Sequence, residues 1–318
     1  MKIAIIAVLA IGILASVVFG CVQMQRDALL DQLPVYEPGS SKENHAWSNE
    51  ESITILDYSA DAMEIGISPD DRYLLFNDNQ TPNKDMHWSS RIDDKTYQYR
   101  GKVVNTVTDT VDGTPSFDRQ GNIYFTTLKT RSNDYMSLYR ARFEDGTAHE
   151  PKPLAGDVHI ENRDQFLKVW ISLDPDISDD GRFLFYSEGR FDPLVGLPYP
   201  FNVRGAERVG DTFVKMGDQI LANVNSDFLD YAPTISTDGL EIFFSRIGKV
   251  NGKPDMIGIF TARRGNTTQP FSKPERVMAI TGKVEAPVLS GDEQRLYYHR
   301  MDGGRFRVYR VTRRKRGN

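Results

Sequence analysis

Across 318 residues there is one cysteine, Cys21. No intramolecular disulfide can form, so the fold must rest on packing. Histidine is equally scarce. The five, His45, His87, His149, His159 and His299, never pair with another His or Cys at a metal-ligand spacing, and no metal site is expected. The chain has no Gly-x-Ser-x-Gly elbow, no phosphate-cradling glycine loop and no dinucleotide fingerprint, so no cofactor is expected either. Excess positive charge is missing too. With 39 basic and 44 acidic residues the net charge is −5, which argues against a nucleic-acid binder. Residues 315–318 make a short basic tail, read as solvated. Past residue 20 no apolar run is long enough to span a bilayer.

The one long apolar run is residues 3–19, behind Lys2 and ahead of Gly20-Cys21. This is a targeting segment rather than part of a fold. Its ending resembles a bacterial lipobox, in which a small residue precedes a cysteine that is diacylated and becomes the mature N-terminus. The resemblance implies a signal peptide over residues 1–20, lipidation of Cys21 and a membrane held through acyl chains. A retained transmembrane anchor and ordinary secretion are the alternatives. Val22 at the next position leans towards an outer membrane facing the periplasm, if the host is Gram-negative. Residues 21–50, broken by Pro34, Pro38 and Gly39 and largely polar, read as a tether.

From residue 51 to 314 a phrase returns five times. A serine or aspartate anchors each copy: Ser68, Asp118, Ser178, Ser236 and Ser290. A turn of Asp-Gly type follows, and then a run such as Leu74-Leu75-Phe76 or Phe183-Leu184-Phe185-Tyr186. Four copies place a proline three residues before the anchor: Pro115, Pro175, Pro233 and Pro287. A strand–turn–strand unit recurring at 50 to 60 residues, which cannot bury both faces alone, predicts a β-propeller of four-stranded blades. Five copies favour five blades. Six is the alternative if part of residues 22–60 forms another. The last copy lacks an outer strand, which residues 52–58 are expected to supply. Residues 95–103 are expected in the third-strand slot of the first copy.

The phrase, seen best from Asp230-Tyr231-Ala232-Pro233 to Ser245-Arg246, resembles the TolB-type, WD40-like propeller repeat over residues 60–314. The resemblance implies the fold. It spans envelope assembly proteins, binding modules and some enzymes.

Two sets of residues are candidates for function. Long segments opposite the Asp-Gly turns, residues 78–94, 154–173, 188–200 and 246–254, are expected to carry a binding face, with Trp88, Trp170, Tyr199, Arg246 and Arg300 as anchors. The partner would be an envelope protein or a polysaccharide, bound by a monomeric, non-catalytic module. The alternative is a glycan-active enzyme. Four residues before the anchors stand Glu64 and Asp174, with Glu285 one step further out in its copy. These three carboxylates would face the channel axis, as five-bladed glycoside hydrolases arrange their acids.

If Cys21 carries the lipid, globomycin treatment of cells making the protein should accumulate the uncleaved precursor. A Cys21→Ser protein that stays fully membrane-bound would point to a transmembrane anchor instead.

Overall fold

The computed structural model describes residues 33–79, 84–107, 111–128, 137–159, 169–191 and 198–314; Cys21, the apolar run of residues 3–19 and residues 315–318 lie outside them. Three short strands come first: β1 (Lys42–Asn44), β2 (Trp47–Ser52) and β3 (Thr54–Leu56). Five antiparallel sheets follow, each a blade. Blade 1 is β4 (Met63–Ile67), β5 (Tyr73–Asn77), β6 (Met86–Arg91) and β7 (Thr96–Lys102). Blade 2 is β8 (Val111–Phe117), β9 (Asn122–Leu128), β10 (Leu138–Glu144) and β11 (Thr147–Pro153). Blade 3 is β12 (Val169–Ile177), β13 (Phe183–Phe191), β14 (Pro198–Val209) and β15 (Thr212–Lys215). Blade 4 is β16 (Leu229–Ile235), β17 (Glu241–Val250), β18 (Lys253–Arg263) and β19 (Glu275–Val277). Blade 5 is β20 (Val284–Leu289), β21 (Arg295–Asp302) and β22 (Arg305–Arg313), completed by β2 from the start of the chain. The expected all-β, five-bladed propeller is the fold.

The repeated phrase is the hairpin between the first two strands of each blade. In blade 3, Ser178 Oγ donates to Asp180 and accepts the Phe183 amide at 2.8 Å. Ser68, Ser236 and Ser290 do the same in their blades. Blade 2 uses Asp118, whose carboxylate takes the Gln120 and Asn122 amides directly, so its turn is one residue shorter. The fourth turn position is left-handed in every copy, at Asp71, Gly121, Gly181, Gly239 and Glu293. The apolar runs that follow are unbroken because the second strand is sandwiched between neighbouring blades. Leu74, Leu75 and Phe76 have no exposed surface, and neither do Ile242, Phe243 and Phe244.

Closure differs from the expectation in detail. The fourth strand of blade 5 is β2, not residues 52–58, and its Trp47 is buried beside Phe243 between blades 4 and 5. β3 instead runs parallel to β7 on blade 1, while β1 runs parallel to β19 on blade 4. The first segment is therefore a belt over three blades. Leu33, Tyr36 and Trp47 are buried, so residues 33–50 are not a tether. Residues 95–103 hold the fourth strand of blade 1. The third, β6, lies inside the segment read as an insertion. Its His87, Trp88 and Ser89 face packed surroundings despite their polarity, which hid the strand from a pattern of apolar alternation.

Gly181 and Gly239 share the left-handed conformation but not their surroundings. A Cβ on Gly239 would lie 2.7 Å from Phe183 Cε2, whereas one on Gly181 meets nothing closer than 3.6 Å. Gly181→Ala should lower stability by about 1–2 kcal/mol from backbone conformation alone. Gly239→Ala should lose roughly 2–4 kcal/mol, because overlap with the ring is added. Urea unfolding checks this, and equal losses would contradict the packing described.

Candidate active site at the channel mouth

Each innermost strand carries a bulge at the same place. The ladder of every first hairpin slips there, as between Leu173 and Asp176 or Glu285 and Val288. At the slip a non-glycine residue stands at positive φ: Glu64 (46°), Thr114 (51°), Asp174 (52°), Ala232 (47°) and Ala286 (52°). Such conformations persist only where the surroundings hold them. Each bulge amide is released from its own sheet and donates to a side chain on the second strand of the preceding blade. Glu64 donates to His299 Nδ1 (3.0 Å), Thr114 to Asn77 Oδ1 (3.0 Å) and Asp174 to Thr126 Oγ1 (3.1 Å). Ala232 donates to Ser187 Oγ (2.9 Å) and Ala286 to Ser245 Oγ (2.8 Å). The ring closes around the axis. The following prolines, Pro115, Pro175, Pro233 and Pro287, line the channel with the bulge residues.

This ring gathers the three predicted carboxylates at one mouth. Asn77 Nδ2 donates to Glu64 Oε2, and Lys84 Nζ lies 3.6 Å from Glu64 Oε1. Ser187 donates to Asp174 Oδ2 at 2.9 Å. The Tyr231 hydroxyl donates to Glu285 Oε2. His299 accepts the Glu64 amide on Nδ1, so its proton sits on Nε2, 3.3 Å from Glu285 Oε1 and out of line for a well-formed hydrogen bond. All three carboxylates are only partly buried.

The environments push these acids apart. Burial, then the negative charges of Glu64 and Glu285, lift Asp174 to about 7 despite the Ser187 hydrogen bond. For Glu285 burial also acts upward, but His299, the Tyr231 hydroxyl and Lys84 outweigh it, and the carboxyl titrates below its ordinary value. Burial and the same carboxylates hold Tyr231 firmly neutral. A second cluster lies nearer the Asp-Gly turns. Asp176 accepts from Ser116 (3.0 Å), Thr234 (3.1 Å) and the Ile235 amide (2.9 Å), and its burial raises it to about 7. It is a blade-to-blade staple. Among the described residues no group of three or more His, Cys, Asp or Glu side chains could hold a metal ion.

The proposed binding anchors do not assemble. Trp88 is not on the loop face; it packs edge-on against Tyr73 and Phe143 between blades 1 and 2. Arg246 is buried, pairs with Asp230 at 2.5 Å and lies over Phe228, Phe244 and Phe260. Arg300 pairs with Glu50 at 2.7 Å and stacks on Tyr309. Trp170 stands half-buried at the end of β12 away from the turn. The Tyr199 side chain lies outside what is described. Sequence reasoning missed Asn77, Ser187 and Tyr231. A signal existed: nine residues after the anchor, where the apolar run ends, four blades read Asn77, Ser187, Ser245 and His299.

No protein-family model matches this chain, and no curated protein matches it. Solved structures do. An endo-arabinase from Bacteroides thetaiotaomicron aligns at 14% identity over 84% of this chain and 99% of its own, with a TM-score of 0.54. The native Bacillus subtilis arabinanase aligns at 14% identity over 84% of this chain and 95% of its own, with a TM-score of 0.53. TolB from Acinetobacter baumannii aligns at 14% identity over 80% of this chain and 55% of its own, with a TM-score of 0.43. At these identities the likeness to the two arabinanases concerns the fold alone.

Proposed function

We propose that the channel mouth hydrolyses glycosidic bonds. One observation carries this reading: acids from blades 1, 3 and 5, Glu64, Asp174 and Glu285, meet at one partly exposed mouth, where Asp174 is pushed up and Glu285 down. Pairs of carboxyls separated in this way are how one site runs acid and base chemistry together. Asp174, protonated near neutrality, gives its proton to the glycosidic oxygen as the bond to the anomeric carbon breaks. Glu285, ionised and held by Tyr231 and His299, takes a proton from the water that adds to that carbon. Glu64 acts through charge, keeping the Asp174 proton in place. That similarly folded proteins are named arabinanases supports a glycan as the substrate class. The non-catalytic binding module is less well supported, since Trp88 and Arg246 are committed to packing. As an envelope protein, the domain would be tethered through lipidated Cys21.

The test is release of new reducing ends from a panel of plant and bacterial polysaccharides. Asp174→Asn and Glu285→Gln should each lower kcat/KM by about 100-fold or more. Activity should fall as pH rises through about 7, where Asp174 loses its proton, and on the acid side below the ordinary carboxylate range, where Glu285 gains one. Glu64→Gln removes a negative charge beside Asp174, so its alkaline limb should move to lower pH. A glycan that is captured but never cleaved would favour the binding module.

A further inference from the structure

Blades diverge as they leave the axis, so a wedge opens between each neighbouring pair. Four wedges carry side chains that bridge their two blades, although a smaller groove of about 330 Å³ remains at the turn end between blades 1 and 2. Trp88, Tyr73 and Phe143 close the one between blades 1 and 2. Phe183, Phe244 and Phe260 fill that between blades 3 and 4, and Trp47 with Phe243 that between blades 4 and 5. Between blades 5 and 1, Arg310 meets Glu51 and Asp94, and Arg295 meets Asp71. The wedge between blades 2 and 3 is packed near the axis by Tyr124, Leu138, Leu154 and Phe213. Further out it is an open groove of about 730 Å³.

Five basic side chains line this groove: Arg140 and Arg142 from β10, His149 and Lys152 from β11, and Arg208 from β14. The acids beside them are Glu150, which pairs with Lys152 at 3.2 Å, and Asp211. Arg140, Arg142 and Arg208 have no carboxylate within ion-pairing distance among the described residues. Arg208 is fixed, donating to Gly181 O at 2.7 Å with its guanidinium over Phe213. Arg140 and Arg142 are exposed. Elsewhere in this acidic chain many arginines are neutralised by a neighbour. Here three guanidinium charges share one concave surface, which concentrates anions.

We propose that this groove binds an acidic oligosaccharide, a chain of sugars carrying repeated carboxylate or sulfate groups. Arg140 and Arg142, two residues apart on one strand, leave the same face from Cα atoms about 7 Å apart, and Arg142 also donates to Gln120 O. With Lys152 on the adjoining strand they form a row of charge, which suits a polymer with repeated acidic groups better than one small anion. The exposed lining offers no aromatic ring on which nucleic-acid bases could stack. Pro153 and Ala155 give too little apolar surface to seat peptide side chains. This inference stands on the groove and is independent of the catalytic reading.

Calorimetry of the whole protein with polygalacturonate oligomers tests it, with neutral arabinan oligomers and inorganic sulfate as the other probes. Polygalacturonate should bind, weakening steeply as salt rises. Arg140→Gln combined with Arg142→Gln should lower its affinity at least 10-fold with the melting temperature unchanged. Asp174→Asn should leave that affinity intact, so loss of hydrolysis and loss of groove binding are separable. No binding of polygalacturonate, equal binding by the double variant, or sulfate or neutral arabinan binding as tightly would overturn the proposal.

Discussion

One contact, repeated five times, organises this molecule: the amide of an innermost-strand bulge donates to a polar side chain on the second strand of the blade before it. Without that acceptor each amide would be a buried orphan, at about 1–3 kcal/mol apiece. With it, each blade is tied to its neighbour near the axis, where the prolines and bulge residues line the channel. Gly66 and Gly113 belong to the same design. A Cβ on Gly66 would sit 2.3 Å from Pro115 O, and one on Gly113 would sit 2.3 Å from the Asn77 amide nitrogen.

The bulge also decides chemistry. A residue at positive φ turns its side chain out of the sheet's alternation, so that five blades can each offer one group to the axis. Three offer Thr114, Ala232 or Ala286, and two offer Glu64 and Asp174. Glu285 arrives from the position before the bulge of blade 5. The asymmetry of the ring follows its acceptors. Where blade 5 uses His299 instead of serine, the same imidazole that accepts the Glu64 amide places its Nε2 beside Glu285. Structural closure and the ionisation of an acid thus share one side chain.

Much of this was legible in the sequence. Asp-Gly turns with a serine anchor have a local meaning that survives any tertiary context, so the blades and their number could be read. Glu64 and Asp174 could be placed at the axis because they keep a fixed offset from those anchors, and Glu285 because it stands one step further out in its own copy. The rest depended on contacts between blades, which no local pattern reports. Trp88 looks like a loop aromatic until β6 is seen beneath it. Arg246 looks like a surface anchor, yet Asp230 across the hairpin and three phenylalanines take it inside. The closing strand was misplaced by five residues because β2 and β3 are both short and extended. Which of them closes the ring depends on Trp47 finding the space beside Phe243.

The central claim is that the ring splits three neighbouring carboxylates into a proton donor and a proton acceptor. Carboxyl carbon-13 NMR across pH, with Asp174 and Glu285 assigned through Asp174→Asn and Glu285→Gln, measures this directly. The account predicts that Asp174 titrates near 7 and Glu285 below the ordinary range for glutamate. If both titrate together near 4, the usual value for exposed acids, the mouth is an acidic surface and not an acid–base pair.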